Sequence, residues 1–211
     1  SAAGRRAEGR GCMTRLILAS TSSARKQILE KAGLSFDAMP PMVDEEALKQ
    51  GLMAENFSPR DMADALAEAK AVKLSVKHPG ALVIGADQML ALDEGPLFDK
   101  PGSPEIARAQ LTLMAGKSHR LFSAVVVAQS GEPLWRHVGT VRMQVRSLRP
   151  AFIDSYVARN WGSIRHCVGC YQIETEGAQL FTRIEGDHFD ILGLPLLPLL
   201  AYLRERKEMP S

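Results

Sequence analysis

The sequence predicts an α/β fold built on a mixed, strongly twisted sheet flanked by helices. Two observations carry that prediction. Short apolar runs alternate with helical patterns through the first half, and the second half adds strands joined by tight turns. Alternation favours parallel pairing through crossover helices, whereas tight turns favour antiparallel hairpins, so one sheet must hold both. At 211 residues and 45% hydrophobic composition, the chain suffices for one sizeable domain or two small lobes around a cleft.

The elements follow in order. Arg15–Ala19 is a short apolar run suited to a buried strand. Ser20, Thr21, Ser22 and Ser23 lead into a helix with Ile28, Leu29 and Ala32 on one side, stopped at Gly33. Phe36–Met39 reads as a strand, broken by Pro40 and Pro41. Ser58 and Pro59 supply a hydroxyl cap and a proline at the first helical position, opening a helix to about Lys77. Ala81–Ala86 is a buried strand ending at Asp87, and Gln88–Leu92 with the turn at Asp93–Pro96 suggests a hairpin. Ser103 and Pro104 start a helix closed by Gly116. His119–Gln129 and Trp135–Leu148 are strands around a Ser130-Gly131 turn, and Arg149 and Pro150 open a helix to about Asn160. Gln179–Ile184 is a strand, Glu185–Asp187 a turn, and Pro195–Arg206 a terminal helix.

Bulk properties narrow the partners. The net charge is +2, with basic residues interspersed among acidic ones, so neither nucleic acid nor an anionic membrane is the expected partner. The longest apolar run, Gly193–Leu203, holds two prolines and is too short to span a bilayer. Residues 1–12 are rich in Gly, Ala and Arg without an apolar core, which reads as a disordered extension or remnant rather than a secretory signal. Met13 then stands as the natural start, with 13–207 a single domain. Three cysteines make no disulfide framework, and a reduced, cytoplasmic protein is the expectation.

Several constellations bear chemistry. Ser20, Ser22, Arg25 and Lys26 lie where a strand passes into a helix N-terminus. Free N–H groups, hydroxyls and the positive end of the helix dipole make such a junction a phosphate site. Arg25 and Lys26 are unfavourable for that dipole, and a bound anion offsets the cost. An ordinary serine cap with solvated basic residues is the alternative. Asp87, at the end of a buried strand, is placed to hold a metal or activate water, with a helix or turn cap as the alternative. Asp44, Glu45 and Glu46 can share Mg²⁺ with substrate phosphates, although composition alone favours a solvated acidic run. Lys70 lies among alanines on a helix face, from which its stem can reach a cleft, and Lys100 sits in a loop before Pro101. Either also reads as a surface lysine. Cys167 and Cys170 form one C-x-x-C, half a zinc site without a second ligand pair, and read as structural or site-lining residues. Asp187, His188 and Asp190 fall in a turn where polar residues are expected. No G-x-G-x-x-G or Walker loop is present.

At these residues the chain resembles the Maf family of nucleotide pyrophosphatases, from about Arg15 to Arg204. The family's opening A-S-x-S-P-R-R stands here as Ala19, Ser20, Thr21, Ser22, Ser23, Ala24 and Arg25. Further matches are Val43-Asp44-Glu45, Ala69-Lys70-Ala71, Gly85-Ala86-Asp87-Gln88, Asp99-Lys100-Pro101, Ser118-His119, and Arg183–Gly186 leading to Gly193–Leu196. Any one is weak, but together, in the family's order, they are specific.

The resemblance implies two lobes around a central cleft, a Maf/ITPase-like arrangement, and hydrolysis between the α and β phosphates of a nucleoside triphosphate. It implies a divalent cation, Mg²⁺ or Mn²⁺, held by Glu45 and Asp87. Asp87, Lys70 and Glu45 become the catalytic set, with Ser20, Ser22, Arg25, Lys26 and Lys100 on the substrate. Asp87, or a water held by the cation, supplies the nucleophile. Two departures stand out: Ser23 replaces the family's proline and Ala24 its first arginine, with Lys26 as compensation. Ala24, Gln88 and Glu174 occupy the positions that discriminate the base. Gln88 and Glu174 match the branch acting on 7-methyl-GTP, whereas Ala24 matches neither that branch nor the one acting on dTTP and UTP. A homodimer is compatible with this reading. A non-catalytic nucleotide-binding regulator of cell division, motivated by the Ser23 and Ala24 departures, and a redox or zinc protein built on Cys167 and Cys170 are the competing readings.

Overall fold

The computed structural model describes residues 14–93 and 95–210. The extension expected over residues 1–12, and Met13 with it, lie outside the described residues. The order is β1 (Arg15–Ala19), α1 (Ser23–Lys31), β2 (Asp37–Met39), α2 (Glu45–Ala54), α3 (Pro59–Lys77), β3 (Ala81–Leu92), β4 (Leu97–Phe98), α4 (Pro104–Met114) and β5 (Ser118–Gln129). Then follow β6 (Glu132–Val145), α5 (Pro150–Ile164), 3₁₀ turns at Val168–Cys170 and Glu176–Leu180, β7 (Phe181–Glu185), α6 (His188–Ile191) and α7 (Leu196–Glu205).

The seven strands form one mixed sheet in the order β2-β1-β3-β5-β6-β7, with β4 on β3. β2, β1 and the first half of β3 run parallel, and β3, β5, β6 and β7 pair antiparallel. The two-residue Ser130-Gly131 connection, with φ of 52° and 86°, closes the long β5–β6 hairpin.

Strand alternation sorts the core. Leu82, Ile84 and Ala86 of β3 pack with Ile28 and Leu29 of α1 and with Leu199 and Leu203 of α7. Farther along that face, Leu90 and Leu92 enter a separate core with α4 and α5. On the other face Met89 packs under Met62, Ala63, Leu66 and Ala67 of α3. Gly85 shares that face, and α3 lies so close that a Cβ there would stand 2.2 Å from the Ala67 carbonyl oxygen. The small Ala67 and Ala71 permit the approach.

Four expectations need correction. Asp44, Glu45 and Glu46 are exposed, as an acidic run would be, but they are the cap and first turn of α2, where the Asp44 carboxylate caps the Ala47 N–H at 3.0 Å. α5 continues past Asn160 to Ile164, because Ile164 buries in the core and the Asn160 amide is tied to Tyr156 and Glu176; packing there overrides local propensity. β6 spans Glu132–Val145 rather than Trp135–Leu148, and β7 begins at Phe181 after a 3₁₀ turn. Most consequentially, β3 does not end at Asp87 but runs on to Leu92.

Candidate active site

The continuation of β3 creates the site. On one edge β3 pairs with β1 as far as Gly85 and with β4 from Leu90. Ala86–Met89 therefore have no strand neighbour on that edge, while the other edge stays paired with β5 throughout. Asp87 and Gln88 fall in this gap, and a cleft of about 880 Å³ opens over it between the two cores. Asp87 thus lies beyond the carboxyl end of β1, where ligands gather in parallel sheets.

Asp87 projects to the same face as Gly85, two residues earlier, and so toward α3. Lys70 is on the buried stripe of α3 with Ala63, Leu66, Ala67 and Leu74. Its Nζ donates to Asp87 Oδ1 at 2.8 Å and meets Glu45 Oε1 at 3.0 Å, with the side chain only 4% exposed. Burying an ammonium is costly unless it is paired, and here two carboxylates offset the cost. An ammonium has three hydrogens, so one remains for a ligand.

The turn after β1 is built from its own serines. Ser20 Oγ accepts from the Ser22 N–H at 3.1 Å, and Ser22 Oγ caps α1 by accepting from the Arg25 N–H at 3.4 Å. Both hydroxyls keep their hydrogens to donate to a ligand. Arg25 shares the helix face of Ile28 and Leu29, which turns it inward. Its Nε donates to the Gly193 carbonyl at 2.7 Å. Burial pulls the guanidinium below its ordinary pKa, and the neighbouring carboxylates of Asp87 and Glu45 oppose that.

Lys26 is a correction. One residue on, it points about 100° away, pairs with Glu30 at 3.7 Å on the solvent face, and is not part of the cleft wall. It does not compensate for Ala24, which does line the cleft.

Lys100, Glu174, His166 and Cys167 line the opposite wall. Lys49, which the sequence reading missed, joins them from α2, one turn beyond Glu45, and pairs with Asp99. The signal was present: an aspartate cap, acidic residues in the first turn and apolar Leu48 and Leu52 announce the helix that aligns Glu45 with Lys49.

Gln88 points to the face opposite Asp87. Its Nε2 donates to Ser123 Oγ and to the carbonyls of Asp190 and Ile191 at 2.9–3.1 Å. Its amide hydrogens are therefore committed to protein groups, although the residue borders the cleft.

Asp190 is 7% exposed, and its carboxylate lies so close to Gly139 that a Cβ there would stand 2.0 Å from Oδ2. Burial first, and the Asp187 carboxylate second, raise its pKa to about 6. The folded protein then binds this proton more tightly than the unfolded chain. The stability it confers is full below the unfolded value of about 4 and is lost as pH rises through about 6. Asp190→Asn is expected to stabilise the protein by roughly 2–3 kcal/mol at pH 7.5 and by under about 1 kcal/mol at pH 4. Urea unfolding at both pH values checks this, and an equal gain at both contradicts it.

The family described as Maf-like protein matches residues 15–206. A Caulobacter vibrioides protein named nucleoside triphosphate pyrophosphatase is 55% identical over 192 residues, covering 91% of this chain and 96% of the relative. Proteins of the same name from Ruegeria pomeroyi and Sphingopyxis alaskensis are each 54% identical, covering 90% of this chain and 96% of the relative.

Proposed function

This chain belongs to the Maf family, and from that membership and its cleft we propose that it hydrolyses a nucleoside triphosphate between the α and β phosphates, yielding a nucleoside monophosphate and diphosphate. The observation that carries the proposal is the Glu45–Lys70–Asp87 cluster in the sheet's gap, facing Arg25, Lys49 and Lys100 across a cleft of nucleotide size. No helix among the described residues is long and apolar enough to cross a membrane.

The lining fits a divalent cation. Five carboxylates (Glu45, Glu46, Asp87, Asp99, Glu174) face four permanent cations (Arg25, Lys49, Lys70, Lys100), and a triphosphate adds further negative charge. Glu45 and Asp87 are the pair to hold Mg²⁺ or Mn²⁺, in line with magnesium's habit of taking one or two carboxylates and completing its shell with phosphates and water. Among the described residues no cluster of three or more His, Cys, Asp or Glu is placed to hold a metal alone. Such a cation would supply Lewis-acid polarisation of the phosphoryl oxygens.

The chain's own groups do the rest. A water attacks the α phosphorus and passes its proton to the Asp87 carboxylate. The bond from the α phosphorus to the bridging oxygen breaks, and its electron pair leaves with diphosphate. Lys70 keeps Asp87 and Glu45 in register and offers its third hydrogen to a phosphate oxygen. Arg25 and Lys100 stabilise the departing charge, and the Ser20 and Ser22 hydroxyls steady the tail. For the base we favour a guanine, such as that of 7-methyl-GTP. Glu174 can accept from its N1–H and exocyclic amine, and Ala24 leaves room without stacking. Gln88 supports the adjoining wall through the α6 carbonyls.

The test is a panel of canonical and methylated nucleoside triphosphates with Mg²⁺, Mn²⁺ or Co²⁺. Diphosphate is expected as the first product, with guanine nucleotides turned over faster than dTTP or UTP. Orthophosphate as the first product rejects the proposal.

A further inference from the structure

Gln110 has no part in the chemistry above, yet it is a buried polar side chain on α4, only 9% exposed, with both ends of its amide engaged. Its Nε2 donates to the carbonyl oxygen of Asp99 at 2.9 Å. That oxygen belongs to the peptide bond leading into Lys100. Its Oε1 accepts the Cys170 thiol at 3.0 Å. Cys170 ends the 3₁₀ turn just before Tyr171, Gln172 and Glu174, which line the cleft.

We propose that Gln110 is a positioning residue that sets Lys100 against the polyphosphate by clamping the Asp99–Lys100 peptide to the Cys170 turn. The idea rests on the pyrophosphatase reading of the cleft. Lys100 itself makes no hydrogen bond or ion pair to the described residues, so its side chain has no partner to set its direction. Its backbone is held on three sides. The Gln110 amide holds the preceding carbonyl, the Asp99 carboxylate pairs with Lys49, and Pro101 is buried immediately after.

The thiol end is equally directional. Burial pushes the Cys170 thiol up to about 12, so it stays protonated and donates to Oε1. That leaves the amide nitrogen facing Asp99, and a flipped amide would set two donors together and two acceptors together. One side chain thereby couples the loop of Lys100 to the loop of Cys167 and Glu174, the two segments of the wall opposite Asp87. Small misplacements of a charged group at a reacting centre carry large rate penalties.

The test is a double-mutant cycle on wild type, Gln110→Met, Lys100→Met and the double variant, with kcat and KM for the best triphosphate and calorimetric binding of inorganic diphosphate. Methionine matches the length of glutamine and lacks both hydrogen bonds. Gln110→Met is expected to lower kcat/KM about 10-fold in the wild type and by less than about 2-fold in the Lys100→Met background, because the residue acts through Lys100. Equal losses in both backgrounds overturn the proposal, since a purely structural role would cost the same in each. Should Gln110→Met fail to fold, Gln110→Glu replaces it, keeping the acceptor for the thiol and removing the donor to Asp99. A wild-type chain that binds diphosphate without hydrolysing triphosphates removes the pyrophosphatase reading alone, and the binding cycle then judges Gln110 by the same criterion. Neither turnover nor diphosphate binding overturns both.

Discussion

Asp87→Asn is expected to lower kcat by at least about 10³-fold while the protein keeps its fold. Asparagine preserves the size of the side chain and an oxygen to accept from Lys70 Nζ, now at 2.8 Å. It removes the carboxylate that we propose takes the proton from water and would hold a divalent cation with Glu45. Loss of a general base costs about 10²–10⁴ in rate, and the lost charge adds to that. Circular dichroism and thermal unfolding should show a folded protein with a midpoint within a few degrees of wild type. Steady-state turnover within about 10-fold of wild type would remove Asp87 from the mechanism.

Lys70→Met has the second largest expected effect, about 10²–10³-fold in kcat/KM, comparable to deleting one charged group that stabilises a transition state. The lysine stem already runs through the alanine-lined face of α3 with its side chain 4% exposed, and methionine fits that path. What disappears is the ammonium between Glu45 and Asp87, so two carboxylates that converge on one cation are left facing each other. Like charges at that range repel, so Glu45, 49% exposed on its helix, is free to swing toward solvent. The measurement is kcat and KM together. A change confined to KM would make Lys70 a binding group only.

Much of the site was legible in the sequence because local rules generate it. Ser58 and Pro59 announce α3, and periodicity puts Lys70 on its buried stripe. The apolar run of β3 leads to Asp87. Spacing alone already argues against Lys26: on a helix whose inward face holds Ile28 and Leu29, residue 25 turns in and residue 26 turns out. α2 was missed because Asp44, Glu45 and Glu46 read as bulk acidity, when position within a helix was the relevant variable. Gln110 gave no signal, since one glutamine in an amphipathic helix looks like any solvated polar residue until the partners at Asp99 and Cys170, 11 and 60 residues away, are in place.

By itself the sequence determined the α/β class, most of the helices and strands, and most of the charged residue types that line the cleft, because periodicity, caps and turns are short-range consequences of neighbouring residues. Only the tertiary structure decided where β3 is left unpaired, that Glu45 and Asp87 converge on one buried ammonium, and that Arg25 faces the cleft while Lys26 faces water. Strand pairing, burial and ion pairing join segments tens of residues apart. Their energies depend on the dielectric and the partners that the folded chain creates, which no local pattern encodes.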